Sequence, residues 1–242
     1  MTPSPSRPWV IAHRGASAAA RGNTLEAFRR AGAMGADAVE LDVRRTADDR
    51  VVVHHDDSLR SGPIISMRLA EIRKAAPSVP TLDEAIEACG PMWVNVEVKN
   101  SPIDHDWDPD DRILPLIVAI LESAGRREGT VVSSFNPATV SRAHSLGLRT
   151  GWLVARGLPV RPVLEQAAAA EHYALHPHVS ALDGDHAGAV VSAAHRAGLA
   201  VVAWTVDDPD EQRRLAAAGI DGIITNRPDD ALAALEGPPP SD

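Results

Sequence analysis

Eight short apolar runs, each followed by a segment with helical character, constrain this chain more than any other feature. The runs are WVIAH, AVELDVR, MWVNVEVK, TVVSSF, RTGWLV, YALHP, AVVAWTV and DGIIT. Each has the length and the Val/Ile-rich composition of a strand. Helical segments start near Asn23 and Thr81, and others occupy 111–124, 137–146, 161–171, 187–197, 208–218 and 228–236. NTLE and TLDE each place a capping side chain three residues before a Glu, the pattern of a helix start. Gly32 or Gly35, Gly90, Gly125, Gly147, Gly198 and Gly219 fall where helices end. Eight strand–helix units in about 235 residues is the count for a TIM (β/α)8 barrel, an α/β fold. An open doubly wound sheet is the alternative, but no G-x-G-x-x-G follows the first run, so a dinucleotide site has no support.

The second unit is irregular. Between AVELDVR and the helix at Thr81 lie RVVVHHDD and a weakly patterned stretch. This predicts a short insertion after the second strand, made of an added strand or hairpin and a loop at one mouth of the barrel. The expected organisation is one catalytic barrel over 8–236. Pro/Ser-rich tails at 1–7 and 237–242 are expected to be flexible.

The chain has 242 residues and a formal net charge of −9, a balance that opposes general nucleic-acid binding. Cys89 is the only cysteine, so neither an internal disulfide nor a cysteine-held zinc is expected, and Cys89 reads as an apolar filler. The N-terminus lacks a signal-peptide pattern, and no run approaches the roughly 18 apolar residues of a membrane span. A cytoplasmic protein without a membrane span is the expectation, with oligomeric state open.

In such a barrel, chemistry gathers at the carboxyl ends of the strands. Glu40 and Asp42 sit two apart in VELDVRR, so they share one face of a strand while Val39, Leu41 and Val43 take the other. Glu97 and Lys99 repeat that spacing on the third run. Carboxylates gathered inside a barrel repel one another and take up protons, unless a cation joins them. Three carboxylates without a histidine or thiolate set suit a hard divalent ion, Mg²⁺ or Ca²⁺. His13 and Arg14 end the first run, and a guanidinium there can hold a phosphate through two hydrogen bonds. Of His54 and His55, strand alternation lets only one face the site; His55, next to Asp56, is the candidate.

Other residues read more plainly. His144 and His195 fall within helices. His105 lies in DHDWDPDD, a solvated turn whose Trp107 can fold over a mouth. His176 and His178 follow the sixth run, at the right end for a pocket. Trp204 near the end of the seventh is a candidate pocket wall.

The fragments HRGA, NTLEAF, ELDV, HDDSL, PTLDEAI, VEVK, AWTVDD and GIDGIITNRP occur in that order. With them the chain resembles the glycerophosphodiester phosphodiesterase family, from about residue 9 to 230. The resemblance implies a TIM barrel that hydrolyses a small-molecule glycerophosphodiester to glycerol 3-phosphate and an alcohol with a divalent ion, Mg²⁺ or Ca²⁺. By position, Glu40, Asp42 and Glu97 match the metal carboxylates, His13 and His55 the catalytic histidines, and Arg14 and Lys99 the phosphate contacts. Two histidines would act as acid and base, with water or the glycerol 2-hydroxyl attacking. A lyase that stops at a cyclic phosphate and a barrel that binds such diesters without turnover are the rival readings. The chain departs from the family pattern at Gly22, where Glu is usual, at Asn226, where Asp is usual, and in the shorter segment Ser58–Pro80. The alcohol head group is not legible.

Overall fold

The computed structural model describes residues 7–184 and 186–236. The tails expected at 1–7 and 237–242 lie outside the described residues except for Arg7, which is paired with Asp37 at 2.6 Å. The strands are β1 (Trp9–His13), β2 (Ala38–Arg45), β3 (Val51–Val53), β4 (Ser58–Leu59), β5 (Gly62–Pro63), β6 (Trp93–Val98), β7 (Thr130–Ser134), β8 (Thr150–Val154), β9 (Ala174–Pro177), β10 (Ala200–Ala203) and β11 (Gly222–Thr225). The α-helices are α1 (Leu25–Ala33), α2 (Leu69–Ala75), α3 (Leu82–Cys89), α4 (Ile113–Ser123), α5 (Pro137–Ser145), α6 (Val160–Ala169), α7 (His186–Arg196), α8 (Pro209–Ala217) and α9 (Pro228–Glu236).

β1, β2 and β6 through β11 pair in parallel around a closed ring, because β1 bonds both β2 and β11. Each of the eight predicted runs is a barrel strand, and each is followed by a helix, so the chain is an α/β TIM barrel. The outward faces of the strands pack on the helices. Val39, Leu41 and Val43 join Phe28 of α1 and Leu82 of α3 in one buried cluster, and Leu175, Val201 and Ile223 join Leu164 of α6, Val191 of α7 and Leu215 of α8 in another. Cys89 is 1 % exposed, and burial pushes its thiol up to about 12, as fits an apolar filler. Inside the barrel, Ile11, Ala38, Val202 and Ile224 form an apolar layer with the partly buried Trp9 and Trp93. The polar side chains sit further along the same strands.

Strand register does the positioning. His13 is opposite Glu40, and Asp42 is opposite Glu97. With the two-residue alternation of each strand, this stacks His13, Glu40, Asp42 and Glu97 at the carboxyl end of three adjacent strands.

The insertion has more structure than the sequence pattern predicts. β3 pairs antiparallel with the upper half of β2, and β4 and β5 form a small hairpin. A helix, α2, occupies part of the stretch expected to be loop. Its first turn is tied to the β2–β3 turn by Asp48 Oδ1, which accepts from Leu69 N at 3.0 Å. Ile72 of α2 packs with Val52, Ile64, Met67 and Val79 in a separate small core. Seven residues carry too few apolar repeats to stand out in sequence; long-range packing makes this helix.

One helix cap is also corrected. TLDE caps α3 as expected, with Glu84 Oε2 accepting from Thr81 N at 2.9 Å. In NTLE the cap is Thr24, which accepts from Ala27 N, and not Asn23. Asn23 stands at φ 58° and turns its amide into the barrel instead.

Candidate active site

Glu40, Asp42 and Glu97 converge. Each offers a carboxylate oxygen within 4.8 Å of the others, and all three residues are buried. Glu40 Oε2 accepts from Arg14 N at 3.0 Å, whereas the buried Glu40 Oε1 has no hydrogen-bond partner. Asp42 is held on both sides: Asn23 Nδ2 donates to Oδ2 at 2.7 Å, Arg14 Nε lies 3.1 Å from Oδ2, and Lys99 Nζ lies 3.1 Å from Oδ1. Lys99 Nζ also sits 2.5 Å from Glu97 Oε1.

The electrostatics follow from burial. Glu40 is pushed up to about 8 by burial and by the neighbouring Asp42 charge. Burial pushes Glu97 up to about 7 against the pull of Lys99. Burial acts to raise Asp42 too, but Lys99, Arg14 and the Asn23 amide outweigh it and hold the carboxyl below its usual range. Burial disfavours the Lys99 ammonium, yet Glu97 and Asp42 prevail and keep its pKa above the ordinary value. Two of the three carboxyls are therefore held in a state that an added cation would reverse. An all-oxygen donor set with a bare, buried Oε1 fits a hard divalent ion.

Two imidazoles stand near the cluster, His13 beside Glu40 and His55 on a cleft that Glu97 also lines. His13 Nε2 is 3.9 Å from Glu40 Oε2, and its Nδ1 is 2.7 Å from Asn226 Oδ1. His55 Nδ1 is 2.8 Å from Asp56 Oδ1. Burial lowers both imidazoles below their ordinary value, while Asp56 pulls His55 the other way. β3 stops at Val53, so His54 and His55 are aimed by the following turn and not by strand alternation. His55 borders two clefts. One, of about 520 Å³, is lined by Glu97, Lys99, Phe135, Asn136 and Ile103 among others; the other, of about 200 Å³, is lined by Arg14, Arg21, Gly22 and His54 among others.

Trp204 stands behind the larger cleft. Its ring meets Phe135 edge-on at 5.3 Å and His178 at 4.9 Å, and Nε1 donates to His176 O at 2.9 Å. Phe135 is the aromatic residue that lines the cleft, with Lys99 Nζ 5.7 Å from its ring centre. His176 is fully buried inside the barrel and only His178 is near the mouth.

The segment DHDWDPDD is not a solvated turn. Asp106, Asp108 and Asp111 are buried. Arg44 pairs with Asp104 at 3.3 Å and with Asp106, and Arg45 Nε donates to Asp108 at 2.9 Å. Asn100 donates to Asp108 O at 2.8 Å and binds Asp111. Trp107 is 43 % exposed and does not line the larger cleft; Ile103 of the same loop does. Arg44 and Asn23 are the residues that the sequence pattern misses. The signal available was chemical, an arginine at a barrel strand's end two residues past a candidate ligand, with an acidic loop after the next barrel strand.

Buried carboxylates, cationic side chains and two imidazoles gather at one mouth of a TIM barrel, a set of groups suited to an anionic substrate. Residues 13–230 match the model of the glycerophosphoryl diester phosphodiesterase family. A glycerophosphodiester phosphodiesterase of Caldanaerobacter subterraneus is 32 % identical over 240 residues, covering 91 % of this chain and 94 % of its own. A crystal structure of a putative glycerophosphoryl diester phosphodiesterase from Silicibacter pomeroyi superposes with a TM-score of 0.84 at 27 % identity, over 97 % of this chain and 95 % of that one. A phosphodiesterase from Oleispira antarctica, solved with the product sn-glycerol-3-phosphate, gives 0.82 at 28 % identity over 96 % and 98 %. The chain belongs to the glycerophosphoryl diester phosphodiesterase family, and with that membership it is a phosphoric diester hydrolase. Among the described residues, no helix is long and apolar enough to cross a membrane.

Proposed function

We propose that this chain hydrolyses glycerophosphodiesters to glycerol 3-phosphate and an alcohol, using one divalent ion, Mg²⁺ or Ca²⁺, and the histidine pair His13 and His55. The observation that carries this reading is the convergence of Glu40, Asp42 and Glu97, with His13 Nε2 3.9 Å from Glu40 and His55 on a cleft that Glu97 and Lys99 also line. The product named for the Oleispira structure supports the substrate class.

Glu40, Asp42 and Glu97 would hold the ion. When bound, a divalent ion supplies charge neutralisation for the phosphoryl oxygens. Arg14 and Lys99 would share that task from the protein side, since both lie against Asp42, one of the carboxylates that would hold the ion. The imidazoles move protons, one from the attacking oxygen and one to the departing alkoxide. Asp56 holds the ring of His55 through Nδ1 and leaves Nε2 for the substrate. Phe135 and Ile103 give the larger cleft an apolar side against which one arm of the diester can rest.

The test is turnover of a panel of glycerophosphodiesters by wild type, His13→Ala and His55→Ala, with products read by phosphorus NMR. Each substitution is expected to lower kcat by about 100-fold or more. Undiminished turnover in either variant contradicts the assignment. A cyclic phosphate as final product replaces hydrolysis with intramolecular transfer.

A further inference from the structure

We infer that Asp207 is a positioning residue that sets the tautomer of His13 through Asn226, leaving Nε2 without a proton where it faces the carboxylate cluster. The inference rests on the reading of His13 as a reacting imidazole, and it adds the residue that prepares it. Asp207 follows β10, and Asn226 follows β11. Asp207 Oδ1 accepts from Asn226 N at 2.7 Å and from Thr225 Oγ1 at 2.9 Å, and its Oδ2 accepts from Asn226 Nδ2 at 2.6 Å.

The direction of each bond follows from donor chemistry. A carboxylate oxygen accepts, so the NH₂ end of the Asn226 amide must face Asp207. Turning the amide over would set two oxygens against each other at 2.6 Å. The carbonyl Oδ1 therefore faces the other way, where Ser17 Oγ donates to it at 2.7 Å and His13 Nδ1 lies at 2.7 Å. That oxygen can only accept, so His13 Nδ1 carries a hydrogen. In the neutral ring the other nitrogen is then bare, and it is Nε2 that lies 3.9 Å from Glu40 Oε2. His13 is thus presented in the form that accepts a proton at Nε2. A ring protonated at Nε2 instead would put two lone pairs face to face across 2.7 Å. Three residues from separate strand ends reach this result, so the bond pattern is a property of the closed barrel.

The experiment uses the full-length chain. Nitrogen-15 NMR of its histidines reads the tautomer without any need for turnover, with His13→Gln identifying the resonance. In wild type, His13 is expected to carry its hydrogen on Nδ1. In Asp207→Asn, the Asn226 amide no longer faces a group that can only accept, so its orientation is no longer forced. The Nδ1–H population is expected to fall, and kcat to drop about 10-fold or more with KM changed less than about twofold. Combining Asp207→Asn with Asn226→Asp exchanges the two side chains and restores the pattern. The carboxylate, now on the β11 side, accepts from His13 Nδ1, and the amide, now on the β10 side, donates to that carboxylate. Tautomer and most of kcat are expected to return. A wild-type His13 protonated on Nε2 overturns the inference, even if no variant folds. So does an Asp207→Asn enzyme with unchanged tautomer, or a double variant no better than the single one. A wild-type chain that turns over no diester overturns the proposed function instead, while the NMR result still decides this point.

Discussion

Asn23 clamps Asp42: its Nδ2 donates to Asp42 Oδ2 at 2.7 Å, and its Oδ1 accepts from Asp42 N at 3.3 Å. A residue that reads as a helix cap is spent on orienting a candidate metal ligand, and Thr24 takes over the cap. Partners of this kind commonly control metal affinity about 10- to 100-fold. Asn23→Ala is therefore expected to weaken Mg²⁺ or Ca²⁺ binding by about that factor in calorimetry, and also to lower the thermal midpoint, because Ala stands poorly at φ 58° and leaves the buried Asp42 short of a hydrogen bond. Unchanged affinity would remove Asn23 from the site.

Arg44 ties the acidic loop to His55. Its side chain is 4 % exposed, pairs with Asp104 and Asp106, and donates to His55 O at 3.0 and 2.7 Å. Arg44→Met strands the buried Asp106 carboxyl, a loss of about 3–5 kcal/mol in stability for a buried pair broken on one side. Urea denaturation should show that loss, and kcat should fall with it as His55 is released. A change below about 0.5 kcal/mol would mean that the loop is held by other contacts.

Asp56 offers a cleaner separation, since its side chain is 73 % exposed. Asp56→Asn keeps the shape but removes the charge beside His55 Nδ1. We expect kcat to fall about 10-fold at unchanged thermal midpoint and KM. An equal kcat would show that Asp56 only decorates the turn.

The raised carboxyls couple stability to pH. Glu40 and Glu97 stand at about 8 and about 7, above the ordinary 4.5. The folded chain thus retains protons that the unfolded chain has released. That contribution is whole below about pH 4.5 and is lost as pH climbs through 7 and 8, at up to about 1.4 kcal/mol per unit for each retained proton. A bound divalent ion removes the effect by accepting the ionised carboxylates. Thermal melts with and without Mg²⁺ or Ca²⁺ should diverge as pH rises from about 5 to about 8. A constant gap across that range would contradict the raised values.

The barrel was legible because each strand announces itself locally. Val, Ile and Leu crowd into short runs, and the i, i+2 pairs Glu40/Asp42 and Glu97/Lys99 interrupt them on one face. Register then supplies what alternation implies, with Asp42 beside Glu97. Long-range pairs were not legible. Asn23 and Asp42 are joined only when α1 closes on β2, and His13 meets Asn226 across 213 positions because the ring closes. The helix α2 and the buried aspartates of 104–111 likewise exist through contacts with Asp48, Arg44 and Arg45, and no local pattern carries those.

The most direct measurement is release of glycerol 3-phosphate from glycerophosphodiesters before chelation, after chelation, and after Mg²⁺ or Ca²⁺ is returned. The account predicts turnover that vanishes with chelator, returns with the ion, and stays absent under every condition in Glu97→Gln. Full turnover in the presence of chelator, or a Glu97→Gln enzyme as active as wild type, would contradict it.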